Sequence, residues 1–294
     1  MQQEGKLFNY FHLHLIIFIW GFTAVLGALI SLEAIPLVWY RMAIAFVLIF
    51  LYVKWRKISL KFPTKTLLGF LLAGVIIAGH WITFFAAIKA SNVSVTLAVL
   101  STGAFFASIL EPIFYRRKII WYEVLFGVFV ILGLYIIFDI ETQYLTGILL
   151  SLTSAFLSAL FSVINGKYAV KYNAVSISFW ELLFGAVCVG LFLLFSGEIT
   201  TDFFILSSKD WFYLLILASA CTAYAFIASV HVMKWIKPYT VMLSINMEPI
   251  YGIILALLIL GEKEHMSMQF YYGALIILGT VILNGIIKMK IKSE

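Results

Sequence analysis

Along this chain polar and apolar residues separate into whole segments. Apolar runs recur between short polar stretches, and each is near the ~20 residues that a helix needs to cross ~30 Å of hydrocarbon. Ten such runs fall at 14–32, 36–53, 67–88, 93–115, 119–138, 145–166, 174–196, 210–233, 239–260 and 266–287. Within each run the apolar positions are continuous rather than alternating, which argues against a transmembrane barrel. The first run is not a cleaved leader, because Trp20 and Gly21 sit at its middle, no small-residue cleavage site follows, and nine further runs come after it. The pattern predicts an all-α membrane protein with ten transmembrane helices.

Composition agrees. Of 294 residues, 64% are hydrophobic and 12% charged, against about 45–50% and about 25% in soluble domains. Too few polar groups remain to cover a water-soluble globule, and disorder needs the opposite balance. The net charge of +6 does not point to nucleic acid, because the basic residues cluster in short connections. Lys6, the Lys54–Lys65 cluster, Arg116-Arg117-Lys118, Lys167, Lys171, Lys234, Lys237 and the Lys288–Lys292 tail all fall on one side of a ten-span topology. The alternate connections carry Glu33, Asp139, Glu141, Glu198, Asp202, Asp210, Glu262 and Glu264 with only Lys89, Lys209 and Lys263. Under the positive-inside rule both termini are expected in the cytoplasm, with the chain in the plasma (inner) membrane. Cys188 and Cys221 lie inside apolar runs and build neither a disulfide framework nor a metal site. No metal and no cofactor is expected.

The halves resemble each other. Val130–Ile137 aligns with Ile276–Leu283, which pairs Gly133 with Gly279, and Gly127 pairs with Gly273. One residue out of phase, Lys89 matches Lys234 and Ser101 matches Asn246. The expected units are 13–138 and 145–287, each of five spans. An odd span count turns the second unit upside down relative to the first. Such inverted repeats place a binding site between the halves near mid-membrane and permit alternating access.

Several segments carry a family resemblance. They are Trp20-Gly-Phe-Thr23, Trp39-Tyr-Arg41-Met-Ala-Ile-Ala45, Ala86–Ser91, Met233–Pro238, Glu248-Pro249, Leu260-Gly-Glu-Lys263, Gly273 and Gly279. On these the chain resembles the EamA family of the drug/metabolite transporter superfamily, over nearly its whole length. It departs from the family pattern at Ala104, where proline is usual, and at Arg117, where glutamate is usual. The resemblance implies two five-span repeats, transport rather than catalysis, and a small-molecule substrate drawn from a wide range.

Ionisable groups inside hydrocarbon cost several kcal/mol, so each needs a partner, a wet cavity or a function. Five stand out: Arg41, His80, Glu111, Glu181 and Glu248. Glu248 precedes Pro249, whose missing N–H frees a carbonyl and predicts a kink, and Asn246 adds an amide nearby. A cationic group or a proton is the matching ligand, with a plain structural kink as the alternative. His80, beside Trp81, is a proton-switch candidate or a histidine bonded to a neighbouring helix. Glu181 lines a cavity or pairs with another span. Arg41 suits a gating or structural role, and Glu111 an interfacial pair with Arg116. Ser101, with Ser94 and Ser108 at seven-residue spacing, marks a polar stripe. Trp20, Trp81 and Tyr224 are candidate apolar cavity walls. The small residues Ser151, Ala155, Ala159 and Ser162 read as a helix-packing stripe.

The sequence thus predicts a transporter exporting small polar metabolites such as amino acids, driven by the substrate gradient or by protons, as monomer or homodimer in contact with lipid. No Gly-x-x-x-x-Gly-Lys-Ser/Thr run supports direct ATP hydrolysis. An intramembrane enzyme on a lipid-linked substrate and a non-transporting scaffold remain as alternatives.

Overall fold

A computed structural model describes residues 2–116, 121–140, 142–232, 235, 244–245 and 247–291. Every regular element among them is helical: α1 (Gln2–Leu29), α2 (Ala34–Arg56), α3 (Thr64–Ala90), α4 (Val93–Leu100), α5 (Gly103–Tyr115), α6 (Trp121–Ile140), α7 (Leu145–Ala169), α8 (Ala174–Phe195), α9 (Ser208–Ala218), α10 (Ala225–Val232), α11 (Glu248–Leu260) and α12 (Met268–Ile291), with short 3₁₀ turns between some. Seven segments among the described residues are long and apolar enough to cross a membrane: Phe8–Leu29, Ala34–Arg56, Thr64–Ala90, Val93–Tyr115, Thr142–Ala169, Ala174–Phe195 and Ser208–Ser229. Part of the ninth expected span lies outside the described residues, and its described helix, Glu248–Leu260, has 13 residues.

Two expected spans depart from a single smooth helix among the described residues. The fourth breaks at Ser101-Thr102 between α4 and α5, where the two hydroxyls donate to the carbonyls of Ala98 and Val99. The eighth contains a π-helical stretch, Ser219–Tyr224, between α9 and α10. In the ninth, α11 begins at Glu248 with Pro249 in its first turn, where a missing N–H has no intrahelical bond to lose.

Helix packing has the same pattern in both halves. α2 lies on α8 and α6 on α12, while α1 packs on α11 as α7 packs on α4 and α5. Likewise α3 packs on α8 as α9 packs on α2. At the α6–α12 crossing a Cβ on Gly133 would lie 2.6 Å from Ile277 Cγ1 and 2.9 Å from the Gly273 carbonyl oxygen. A Cβ on Gly273 would lie 2.8 Å from Ile137 Cγ1 and 3.0 Å from the Gly133 carbonyl oxygen. Contacts of 133 with 277 and of 137 with 273 mean that the helices run antiparallel. Glycine permits this approach because it has no Cβ. The crossing pairs Gly133 with Gly273, whereas the sequence alignment pairs it with Gly279, around which a Cβ would meet nothing within 4 Å.

Large apolar side chains also cover the outside: Leu68 and Leu72 on α3, Leu125 and Val128 on α6, Phe192 and Phe195 on α8. That arrangement suits lipid as the surrounding solvent. The halves are tied together at their connections. Glu264 accepts from the Val93 and Ser94 backbone N–H groups at 3.1 and 2.8 Å, capping α4. Asp210 accepts from the Ser31 backbone N–H at 2.8 Å and from the Ser31 hydroxyl at 2.7 Å.

Candidate functional site

A cavity of about 100 Å³ lies between the halves, lined from α1 by Trp20 and Thr23, from α2 by Arg41, from α3 by His80 and Trp81, from α7 by Ser158, Ser162 and Asn165, from α10 by Phe226 and Ser229, and by Glu248 at the start of α11. A smaller chamber of about 50 Å³ shares His80, Ser158 and Glu248 with it and adds Ser101, Gly103 and Pro249. The break in the fourth span and the start of α11 therefore border the same region. Helix ends exposed by such breaks carry unpaired backbone dipoles, the usual means of meeting polar substrates at membrane depth.

Arg41 is 2% exposed. Its Nε donates to Thr222 Oγ1 at 2.7 Å, and its guanidinium lies over Trp81 at 3.8 Å from the ring centroid. Its Nη1 is buried with no hydrogen-bond partner. Thr222 reaches that position through the π-helical stretch, where its hydroxyl donates to the Leu217 carbonyl five residues back. Glu248 lines the same cavity and attracts Arg41 electrostatically. The approach of α1 to α11 fixes both Trp20 and Glu248, since a Cβ on Gly21 would lie 2.9 Å from Gly252 N and 3.2 Å from the Glu248 carbonyl oxygen.

His80 Nδ1 lies 3.0 Å from the Ser154 carbonyl and 2.8 Å from the Ser154 hydroxyl, which itself donates to the His80 carbonyl. A carbonyl only accepts, so Nδ1 carries the hydrogen. In a neutral ring this leaves Nε2 as an acceptor.

The structure brings Trp20, His80, Trp81 and Glu248 to one cavity and Ser101 and Pro249 to its side chamber. Arg41, expected in a gating or structural role, lines the main cavity. Glu181 is fully buried behind the wall, where its Oε2 accepts from Asn165 Nδ2 at 3.2 Å. Tyr224 stands elsewhere: it bonds His12 at 2.7 Å and lines a separate groove of about 510 Å³. Asn246 lies outside the described residues. Sequence reasoning missed Thr23, Ser158, Asn165 and Ser229, and read Ser162 as packing. A signal existed on α7: Ser154, Ser158, Ser162 and Asn165 are spaced by four, four and three residues, one face of a helix.

The fold and cavity define a helical membrane protein whose polar interior sits between two similarly packed halves. The model of the EamA-like transporter family matches residues 8–139 and again 145–285. The chain belongs to that family, and is an integral membrane protein of the drug/metabolite transporter type. No curated protein matches the chain. Among solved structures, one titled only as the crystal structure of a protein superposes with a TM-score of 0.66 over 94% of this chain and 97% of its own, at 14% identity. At that identity the likeness speaks for the fold.

Proposed function

We propose that this protein is a secondary transporter for small zwitterionic metabolites of the amino-acid kind. It works by alternating access between two inverted five-helix repeats, ten spans in all. One observation carries the substrate class: an arginine with a free, buried N–H and a glutamate line the same small cavity. A guanidinium matches a carboxylate, and a carboxylate across the cavity matches an ammonium group. Trp81 and Phe226 supply apolar wall to the same cavity. The antiparallel α6–α12 crossing supports the inverted arrangement.

The distribution of basic residues supports cytoplasmic termini and an inner-membrane location. Export is the direction we assign. The drive is the substrate's own gradient or a proton gradient.

The test is counterflow of radiolabelled amino acids into proteoliposomes preloaded with unlabelled mixtures. Accumulation above protein-free liposomes, abolished in Arg41→Ala, is the expected result. Absence of flux in the wild type, with no amino acid raising the melting temperature of the purified protein, would overturn the reading.

A further inference from the structure

Next to the cavity a buried carboxyl and a buried amide are paired through only one of their two possible bonds. Asn165 Nδ2 donates to Glu181 Oε2 at 3.2 Å. The other atoms of the pair, Glu181 Oε1 and Asn165 Oδ1, are both buried without a hydrogen-bond partner. Glu181 is 0% and Asn165 2% exposed. Ser178, one turn before Glu181 on α8, also has a buried hydroxyl that bonds to neither. Two acceptors cannot satisfy each other, and orphaned buried polar atoms are costly.

We propose that Glu181 and Asn165 form a proton-binding site, with one proton on Glu181 Oε1 donated to Asn165 Oδ1. The addition converts a one-bond contact into the two-bond pair of an acid and an amide, and leaves no net charge in the buried site. The site deepens the transporter reading and rests on it for its physiological meaning. Asn165 is its link to transport, because the same side chain lines the substrate cavity. Movement of α7 against α8 withdraws the amide. The O–H bond of Glu181 then breaks, the proton passes to water in the cavity as hydronium, and the carboxylate keeps the electron pair.

The surroundings favour proton over metal. On α3 the Gly74 backbone packs against the Glu181 backbone, since a Cβ there would overlap the Glu181 carbonyl oxygen, and on α2 Met42 packs against Gly185. Tyr168 on α7 is a titratable neighbour that interacts electrostatically with Glu181. His80 and Arg41 belong to the cavity on the far side of Asn165. A hard cation such as calcium takes about six to eight oxygen ligands at short range, more than the five oxygens that Glu181, Asn165, Ser178 and Tyr168 carry between them.

Infrared difference spectroscopy of the full chain in liposomes, on exchange from H₂O to D₂O, tests the site without any substrate. We expect a protonated-carboxyl band that is lost in Glu181→Gln, retained in Glu248→Gln, and shifted towards a free-acid frequency in Asn165→Ala. Circular dichroism checks that each variant is folded. If Asn165→Ala fails to fold, the Gln pair alone decides. A band that survives in folded Glu181→Gln, or is absent from the wild type, overturns the proposal. So does a band that vanishes on replacing choline by sodium, which would make the occupant a metal ion. The result is independent of counterflow: the band with no flux sinks transport and spares the site, whereas flux with no band does the reverse.

Discussion

Arg41 Nε donates to Thr222 Oγ1 at 2.7 Å across the interface between the halves. That bond fixes the guanidinium over Trp81. It also depends on the π-helical stretch, which lets Thr222 bond Leu217 five residues back. Thr222→Val keeps the shape and removes the acceptor. A hydrogen bond to a charged group contributes roughly 1.5–3 kcal/mol, so ligand affinity should fall roughly tenfold to a hundredfold, at about 1.4 kcal/mol per decade. Arg41→Lys keeps the charge but not the planar fork that stacks and bonds together, and should not restore binding. Thermal-shift titration with the amino acid that best stabilises the wild type measures both; full affinity in Thr222→Val would remove the threonine from the site.

The glycine crossing of α6 and α12 predicts an asymmetry among glycines. Gly133→Ala and Gly273→Ala each force a Cβ against backbone and isoleucine, and overpacking of this kind costs roughly 1–3 kcal/mol. Around Gly279 there is open space, so Gly279→Ala should be neutral or stabilising, because alanine is favoured over glycine in a helix by about 1 kcal/mol. Since 133 and 273 share one contact, the double variant should cost less than the sum of the two. Melting midpoints in detergent decide this, and equal effects at all three positions would contradict the crossing.

Much of the fold was legible because segregation into apolar runs requires only counting against membrane thickness. The start of α8 at Ala174 and of α7 at Leu145 coincide with the expected spans. The cavity was legible where a group is costly in hydrocarbon, as at His80 and Glu248. Cheaper polar groups such as Ser158 and Asn165 were obscured, because serines in membrane helices commonly bond back to their own backbone. Tyr224 shows a different limit. It sits at the end of the π-helical stretch, and the wider turn rotates everything after it relative to a uniform helix, so no helical wheel drawn through α9 predicts its direction.

Glu264 counted in the sequence as one more acidic loop residue, yet it is 3% exposed and caps α4 through two backbone N–H groups. Those donors have no intrahelical partner. Glu264→Ala should cost roughly 1–3 kcal/mol of stability, seen as a lower melting midpoint. Glu264→Gln has one carbonyl oxygen left to accept and should lie between. Because the carboxylate comes from the opposite half, a cysteine pair at Asn92 and Met266, whose side chains touch at 3.2 Å, should cross-link in the wild-type background and more slowly with Glu264→Ala. Equal rates would mean that the cap does not hold the halves together.

His80 separates a structural from a functional nitrogen. Nδ1 is committed to Ser154, at 3.0 Å from its carbonyl and 2.8 Å from its hydroxyl. Asparagine places an N–H near Nδ1 and nothing at Nε2; glutamine reaches towards Nε2 and abandons Nδ1. His80→Asn should therefore melt close to the wild type while losing ligand stabilisation. His80→Gln should leave the Ser154 carbonyl unpaired in a buried wall, at a cost of roughly 1–3 kcal/mol, and melt lower without ligand. If the two variants melt alike and bind alike, the nitrogens carry no such division, and His80 acts only through its bulk against Phe84, whose ring centroid lies 6.1 Å away.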